Sequence, residues 1–372
     1  MTIPSTTTLD HRPSADLQPS ADQRRRPDEA VGRPQADELD AAIASVQGRA
    51  ARVLTGDRPT GELHLGHYFG TLRNRVALQD AGAELTIVIA DYQVITDRDG
   101  VGPLRERVLG LVADYLACGV DPTKSTVFAH SAVAALHQLM LPFLSLVSDA
   151  ELRRNPTVKE ELAQSSRPLS GLLLTYPVHQ AADILFCGTD LVPVGGDQVP
   201  HLELARTIAR RFNERYGEVF TEPRALLSPT PRLLGTDGHK MSKSRGNTIP
   251  LGASDDETVA SVRRAVTDSE RYITYAPQRR PGVSALLDLA AACEGSDPRL
   301  IAEEIGNGGA AMLKQRTAEA INELLRPLRA RRADLTADPG QLSAVLHAGA
   351  AAARATANDR LATVRTVMQM DY

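Results

Sequence analysis

The sequence predicts an α/β fold: a doubly wound parallel sheet followed by an all-helical domain. Three observations carry that expectation. Short apolar runs alternate with helical patterns of roughly 10–15 residues, as in successive β-α-β units. The runs are continuous instead of alternating with polar residues, as in strands buried on both faces. The strand signal then stops near residue 255, and Ala, Leu, Arg and Glu dominate the remainder, broken by Pro and Gly.

The elements follow in order. Residues 1–48 are rich in Pro, Ser, Asp and Arg and show no periodicity, so a disordered N-terminal extension is expected there. Residues 51–54 form a first strand, closed by Thr55-Gly56; a turn over 57–61 leads into a helical pattern over 64–79. A second strand is expected at 85–90, a helix at 104–118 and a third strand at 126–129. A helix at 132–147 carries a kink at Pro142, because proline has no N–H to give the ladder. Another strand is expected at 191–194 and another helix at 199–216. The aperiodic stretch 224–246, with its prolines and glycines, reads as a mobile connector. This divides the chain into the extension at 1–48, an α/β domain at 49–250 and a helical domain at 251–372.

Composition narrows the class. The chain is 42% hydrophobic and 24% charged, ordinary for a globular protein with a large core. No apolar run approaches the ~20 residues of a membrane span, and the N-terminus lacks a secretory pattern. The three cysteines are isolated, which argues for a reducing cytoplasmic setting and against a structural zinc or an iron–sulfur cluster. A net charge of −4 leaves nucleic-acid binding to local patches.

Two short motifs carry chemistry. His64-Leu65-Gly66-His67 follows a strand and opens a helix, where N–H groups and the helix dipole favour an anion. Thr55-Gly56 and Gly61 let the backbone come close to a ligand, and Gly66 leaves room for a flat ring such as adenine. Lys240-Met241-Ser242-Lys243-Ser244 lies about 170 residues further on. The chain holds five lysines in a Lys+Arg total of 42, and two fall in this one segment. A compact ammonium on a flexible stem suits a phosphate that moves during reaction. The two histidines lack a third ligand nearby in sequence, so no protein-bound metal is expected.

In this order and separation, the motifs resemble the signatures of the class I aminoacyl-tRNA synthetases. The resemblance to the tryptophanyl-tRNA synthetase family runs from about residue 50 to about 335. It includes the stretches beginning Gly171-Leu172-Leu173, Asp190-Leu191-Val192, Arg211-Phe212-Asn213 and Ala265-Val266-Thr267. It implies a Rossmann-like catalytic domain, a helical anticodon-binding domain and a homodimer. The expected partners are L-tryptophan and tRNA(Trp), with no membrane, and ATP brings its own Mg²⁺. Carried over residue by residue, His64, His67, Lys240, Lys243 and Ser244 are catalytic. Thr55, Gly56, Arg58, Gly66, Lys159, Gly195 and Asp197 join the two lysines around ATP. Lys159 has a second reading as a solvated helix lysine. Leu54, Gln93, Tyr176, Gln180, Asp183 and Gln198 surround tryptophan, with Asp183 accepting the indole N–H and Tyr176 and Gln198 holding the ammonium.

The chain departs from the commoner pattern where Gln93 replaces a His, Gln180 a Met and Leu54 an aromatic. These changes, with the extension, resemble the auxiliary bacterial type linked with tolerance of tryptophan-like antibiotics or with handling modified tryptophan; neutral drift is the alternative. Arg326, Arg329, Arg331 and Arg332 form a basic cluster that faces either tRNA or solvent. Two further readings stay open: nucleotidyl transfer without tRNA, and a catalytically idle paralogue that binds a partner protein.

Overall fold

The computed structural model describes residues 41, 42, 44, 50–96, 102–164, 168–195, 198–227, 233–242 and 245–372. The extension expected at 1–48 therefore lies almost wholly outside the described residues.

The first half builds the sheet. β1 (Arg52–Asp57) leads to α1 (Leu65–His67) and α2 (Arg73–Asp80), then β2 (Glu84–Ile89), α3 (Leu104–Ala117) and β3 (Ser125–Ala129). Four helices follow: α4 (Ala134–Leu144), α5 (Asp149–Arg154), α6 (Pro156–Gln164) and α7 (Gly171–Leu185). β4 (Leu191–Val194), α8 (Val199–Tyr216) and β5 (Arg224–Leu227) complete the α/β part. The five strands pair in the order β3-β2-β1-β4-β5, and every pairing is parallel.

Alternate residues of the strands enter two different cores. Val53, Ile87, Val127 and Leu191 pack on one face, Leu54, Val88, Phe128 and Val192 on the other. Burial on both faces is why the runs read as continuously apolar. β1 is longer than the expected 51–54, because Thr55 to Asp57 stay in register with Ile87 to Ile89. Gly56 has a packing reason: a Cβ there would stand 2.5 Å from the carbonyl oxygen of Val88.

The helix expected over 64–79 is interrupted. Tyr68–Leu72 is π-helical and joins α1 to α2. Such bulges are frequent at functional sites, and side-chain periodicity alone does not reveal them. The stretch 224–246 is also more ordered than its composition implies. It begins with β5, a four-residue strand in which only Leu226 is buried, so little apolar signal marked it.

Beyond the sheet lie α9 (Asp255–Arg263), α10 (Pro281–Glu294), α11 (Pro298–Ile305), α12 (Gly309–Ala337) and α13 (Pro339–Val367). α13 starts at Asp338, whose carboxylate accepts from the N–H groups of Gly340 and Gln341. It then runs back against β3, the edge strand. At Gly349 the contact is so close that a Cβ would stand 2.0 Å from the carbonyl oxygen of Val127. Arg354 donates to Ala132 O at 3.2 Å and Arg360 to Phe186 O at 3.2 Å. No helix of the described residues is long and apolar enough to cross a membrane.

Candidate active site

The strand order reverses between β1 and β4, since β2 and β3 lie on one side of β1 and β4 and β5 on the other. In open α/β sheets ligands bind beyond the C-terminal ends of the strands at such a switch point. β1 delivers Arg58 to His67 to that place, and β4 delivers Gly195, with Gln198 at the start of the next helix.

β1 ends in a buried ion pair. Asp57 accepts from Arg75 Nη1 at 2.6 Å and Nη2 at 3.3 Å, and from Tyr115 Oη at 2.6 Å. Burial pushes the Asp57 carboxyl up, but the Arg75 charge and the two donors hold it down to about 2. The residues just before the histidine motif thus hang on a fixed frame. His64 occupies the N-cap of α1 with extended backbone. Its N–H donates to His67 Nδ1 at 3.2 Å, and the two rings lie 3.8 Å apart. With Nδ1 accepting, neutral His67 carries its proton on Nε2 and is a donor there.

The lysine motif docks on this element. Leu65 N donates to Ile249 O at 3.0 Å, and Leu251 N to Leu63 O at 2.9 Å. Met241 is buried, and its Sδ lies 3.4 Å from where a Cβ on Gly66 would stand. The His64 ring is nearer still, 3.0 Å from that Cβ position, so Gly66 sits between the histidine and the methionine. Lys240 is exposed and bridges to Leu234 in a tight hairpin. Asn247 organises that hairpin: Oδ1 accepts from Ser242 N at 2.7 Å, while Nδ2 donates to Asp237 at 2.6 Å and to Lys240 O at 3.1 Å. Sequence reading missed Asn247, which lies three positions beyond the motif among other polar residues. Lys243, Ser244 and Asp197 lie outside the described residues.

Tyr176, Gln180 and Asp183 recur at spacings of four and three along α7 and so share one face. Tyr176 Oη lies 3.2 Å from His201 Nε2 at the start of α8, and Gln198 is the N-cap residue of α8. Asp183 is buried, with Oδ1 3.0 Å from His130 Nε2. Gln93 is buried in the 3-10 turn after β2, and Gln180 is half-buried. Leu54 lies on β1 within the core beside Val88 and Phe128. Thr55 is buried on the same strand, and Gly195 ends β4 in an exposed position.

Arg58 has a protein partner, whereas Lys159 faces solvent. Arg58 donates to Glu161 of α6 at 2.6 Å, and Lys159 stands exposed on the same helix. In the basic cluster, Arg332 pairs with buried Asp114 at 2.6 Å and Arg331 donates to Ala117 O at 2.8 Å. Arg329 bonds Asp255 and Thr258, and exposed Arg326 pairs with Glu323. Three of these four arginines thus bind α12 to its neighbours, so the cluster is not the open basic face that sequence spacing implied.

These elements match known proteins. The family described as tRNA synthetases class I (W and Y) covers residues 47–326. The chain belongs to that family. The residues matched by that family end before α13 begins. Tryptophan--tRNA ligase of Treponema pallidum is 44% identical, spanning 85% of this chain and 96% of that one. Tryptophan--tRNA ligase 1 of Streptomyces avermitilis is 41% identical over 83% and 96%. Among solved structures, tryptophanyl-tRNA synthetase from Campylobacter jejuni, complexed with ADP and tryptophan, superposes with a TM-score of 0.77. It is 32% identical and covers 86% of this chain and 99% of its own. Tyrosyl-tRNA synthetase of Archaeoglobus fulgidus, complexed with L-tyrosine, gives 0.61 at 25% identity over 80% and 94%.

Proposed function

We propose that the protein joins L-tryptophan to tRNA(Trp), first forming tryptophanyl-adenylate from tryptophan and Mg·ATP. The observation that carries this reading is the docking of the lysine hairpin on the histidine element, beside a buried carboxylate on α7. The tryptophan ligases among its relatives supply the amino acid.

The tryptophan carboxylate is already an anion and attacks the α-phosphorus in line; pyrophosphate leaves. This needs no general base, only positioning and charge stabilisation. His67, donating from Nε2, and His64 face the phosphates, with Arg58 and Lys159 nearby. Lys240 and Lys243, with Ser244, hold the leaving pyrophosphate on the hairpin that Asn247 braces. Gly195 and Asp197 meet the ribose where β4 ends. Tyr176 and Gln198 hold the ammonium, and Asp183 accepts the indole N–H. A buried acceptor rejects rings without that donor, because it would then be left unpaired. The amino acid is afterwards transferred to the 2′-hydroxyl of the terminal tRNA ribose.

The finer reading is an auxiliary enzyme of the cytoplasm, acting as a homodimer and tolerant of antibiotics that mimic tryptophan. Gln93 and Gln180 support it. The deciding experiment is ATP–pyrophosphate exchange across a panel of amino acids. Tryptophan alone should support exchange, and Asp183→Ala should lose discrimination against a benzothiophene analogue, which has sulfur in place of the N–H. Exchange with tyrosine and not tryptophan would overturn the reading.

A further inference from the structure

Three histidines that belong to neither signature converge beside Asp183. His130 sits in the 3-10 turn after β3, His137 on α4 and His179 on α7. One ligand-capable atom from each lies within 4.8 Å of the others, the one such group among the described residues. Sequence spacing did not signal this group: the three residues are far apart in sequence, and only the fold unites them.

Several observations point to a cation. His137 Nδ1 faces His179 Nε2 at 2.8 Å. Ring nitrogens bound to one tetrahedral zinc stand about 3.3 Å apart, given bonds of about 2.0–2.1 Å, so a small opening of this pair makes a chelate. His130 is fully buried, yet its Nδ1 has no hydrogen-bond partner among the described residues; His137 Nε2 is likewise orphaned among them. Leaving such groups unsatisfied costs about 1–3 kcal/mol each. Asp183 Oδ1 stands 3.0 Å from His130 Nε2, close enough for an ion pair. A carboxylate behind a ligating histidine is the usual support that orients the ring. The cluster is also reachable. His137 is half-buried, and the ring of Tyr92, itself 40% exposed, lies 5.0 Å from it.

We propose that His130, His137 and His179 bind a divalent transition-metal ion, zinc being the best match to three imidazoles. The ion ties the end of β3 to α4 and α7, with Asp183 behind His130 and the fourth position left to water. The site is independent of which amino acid the enzyme activates, so the test reads the metal itself.

The full chain is stripped with a chelator and titrated with Co²⁺, whose visible d–d bands report coordination. One equivalent should bind with such bands, and added Zn²⁺ should erase them by displacement. His137→Gln and His179→Gln should each weaken binding by more than the ~10–100-fold that loss of a supporting partner costs. His347→Gln, an exposed change on α13, should leave binding intact. Zn²⁺ should raise the melting temperature of the parent protein and not of His137→Gln, whose metal-free melting curve should match the parent and so exclude misfolding. Absence of bands at one equivalent, or unchanged bands in both glutamine variants, overturns the site.

Discussion

At the scale of single residues, charge and hydrogen-bond direction decide the chemistry. Lys243→Ala should slow adenylate formation ~100-fold or more, the scale of one preorganised charge, with tryptophan affinity little changed. A single-turnover rate equal to the parent's would remove Lys243 from the mechanism. Gln93 and Gln180 carry a second expectation. An inhibitor such as indolmycin that exploits a histidine at position 93 loses a hydrogen bond here worth ~1 kcal/mol. Gln93→His should therefore tighten indolmycin inhibition about five-fold relative to tryptophan binding, a ratio read from the two inhibition and affinity constants. Equal, tight inhibition of both proteins would reduce the two glutamines to drift. The two signatures were legible in sequence because each is a short run of adjacent residues. Asn247 and the three histidines were not. Their partners come from hairpin and helix packing that no spacing rule encodes.

At the scale of elements, the hairpin and the end of β1 are the parts that hold the site. Asn247→Ala removes the brace under Ser242, Lys240 and Asp237. Exchange activity should fall ~10- to 100-fold, as expected of a small misplacement of the lysines. Asp57 ties β1 to Arg75 of α2 and Tyr115 of α3. Its carboxyl is held near 2, below the ordinary 3.8, so the contribution is present above about pH 4. It is lost as pH falls through 2. The lost stability is on the order of 2 kcal/mol. Acid unfolding of Asp57→Asn should lack that part of the pH dependence, and an unchanged slope between pH 4 and 2 would show the pair does not act this way. The long strands and helices were readable because two-faced burial makes apolar runs continuous. The π-helical turn and β5 were not, since the first keeps a helical pattern and the second buries one residue.

At the scale of the whole molecule, α13 is the fastening. Gly349 is needed for its approach to β3, where a Cβ would collide with Val127 O. Gly349→Val must push the helix off the strand and should cost about 2 kcal/mol or more. Chemical denaturation would measure that; a midpoint equal to the parent's would show that the contact yields freely. The all-helical last third was expected from composition, but its return to the sheet was not, because a helix's own pattern does not name the surface it covers. That return has a consequence in time. Arg354 meets Ala132 across 222 residues of chain. At the ~5–20 residues per second of protein synthesis, β3 is made some ten seconds or more before its cover exists. A nascent chain therefore spends that interval with an open sheet edge, the kind of surface on which another chain can add a strand. Slow synthesis of the last third, or a stall within it, should make the growing chain dependent on chaperones that the finished protein no longer needs.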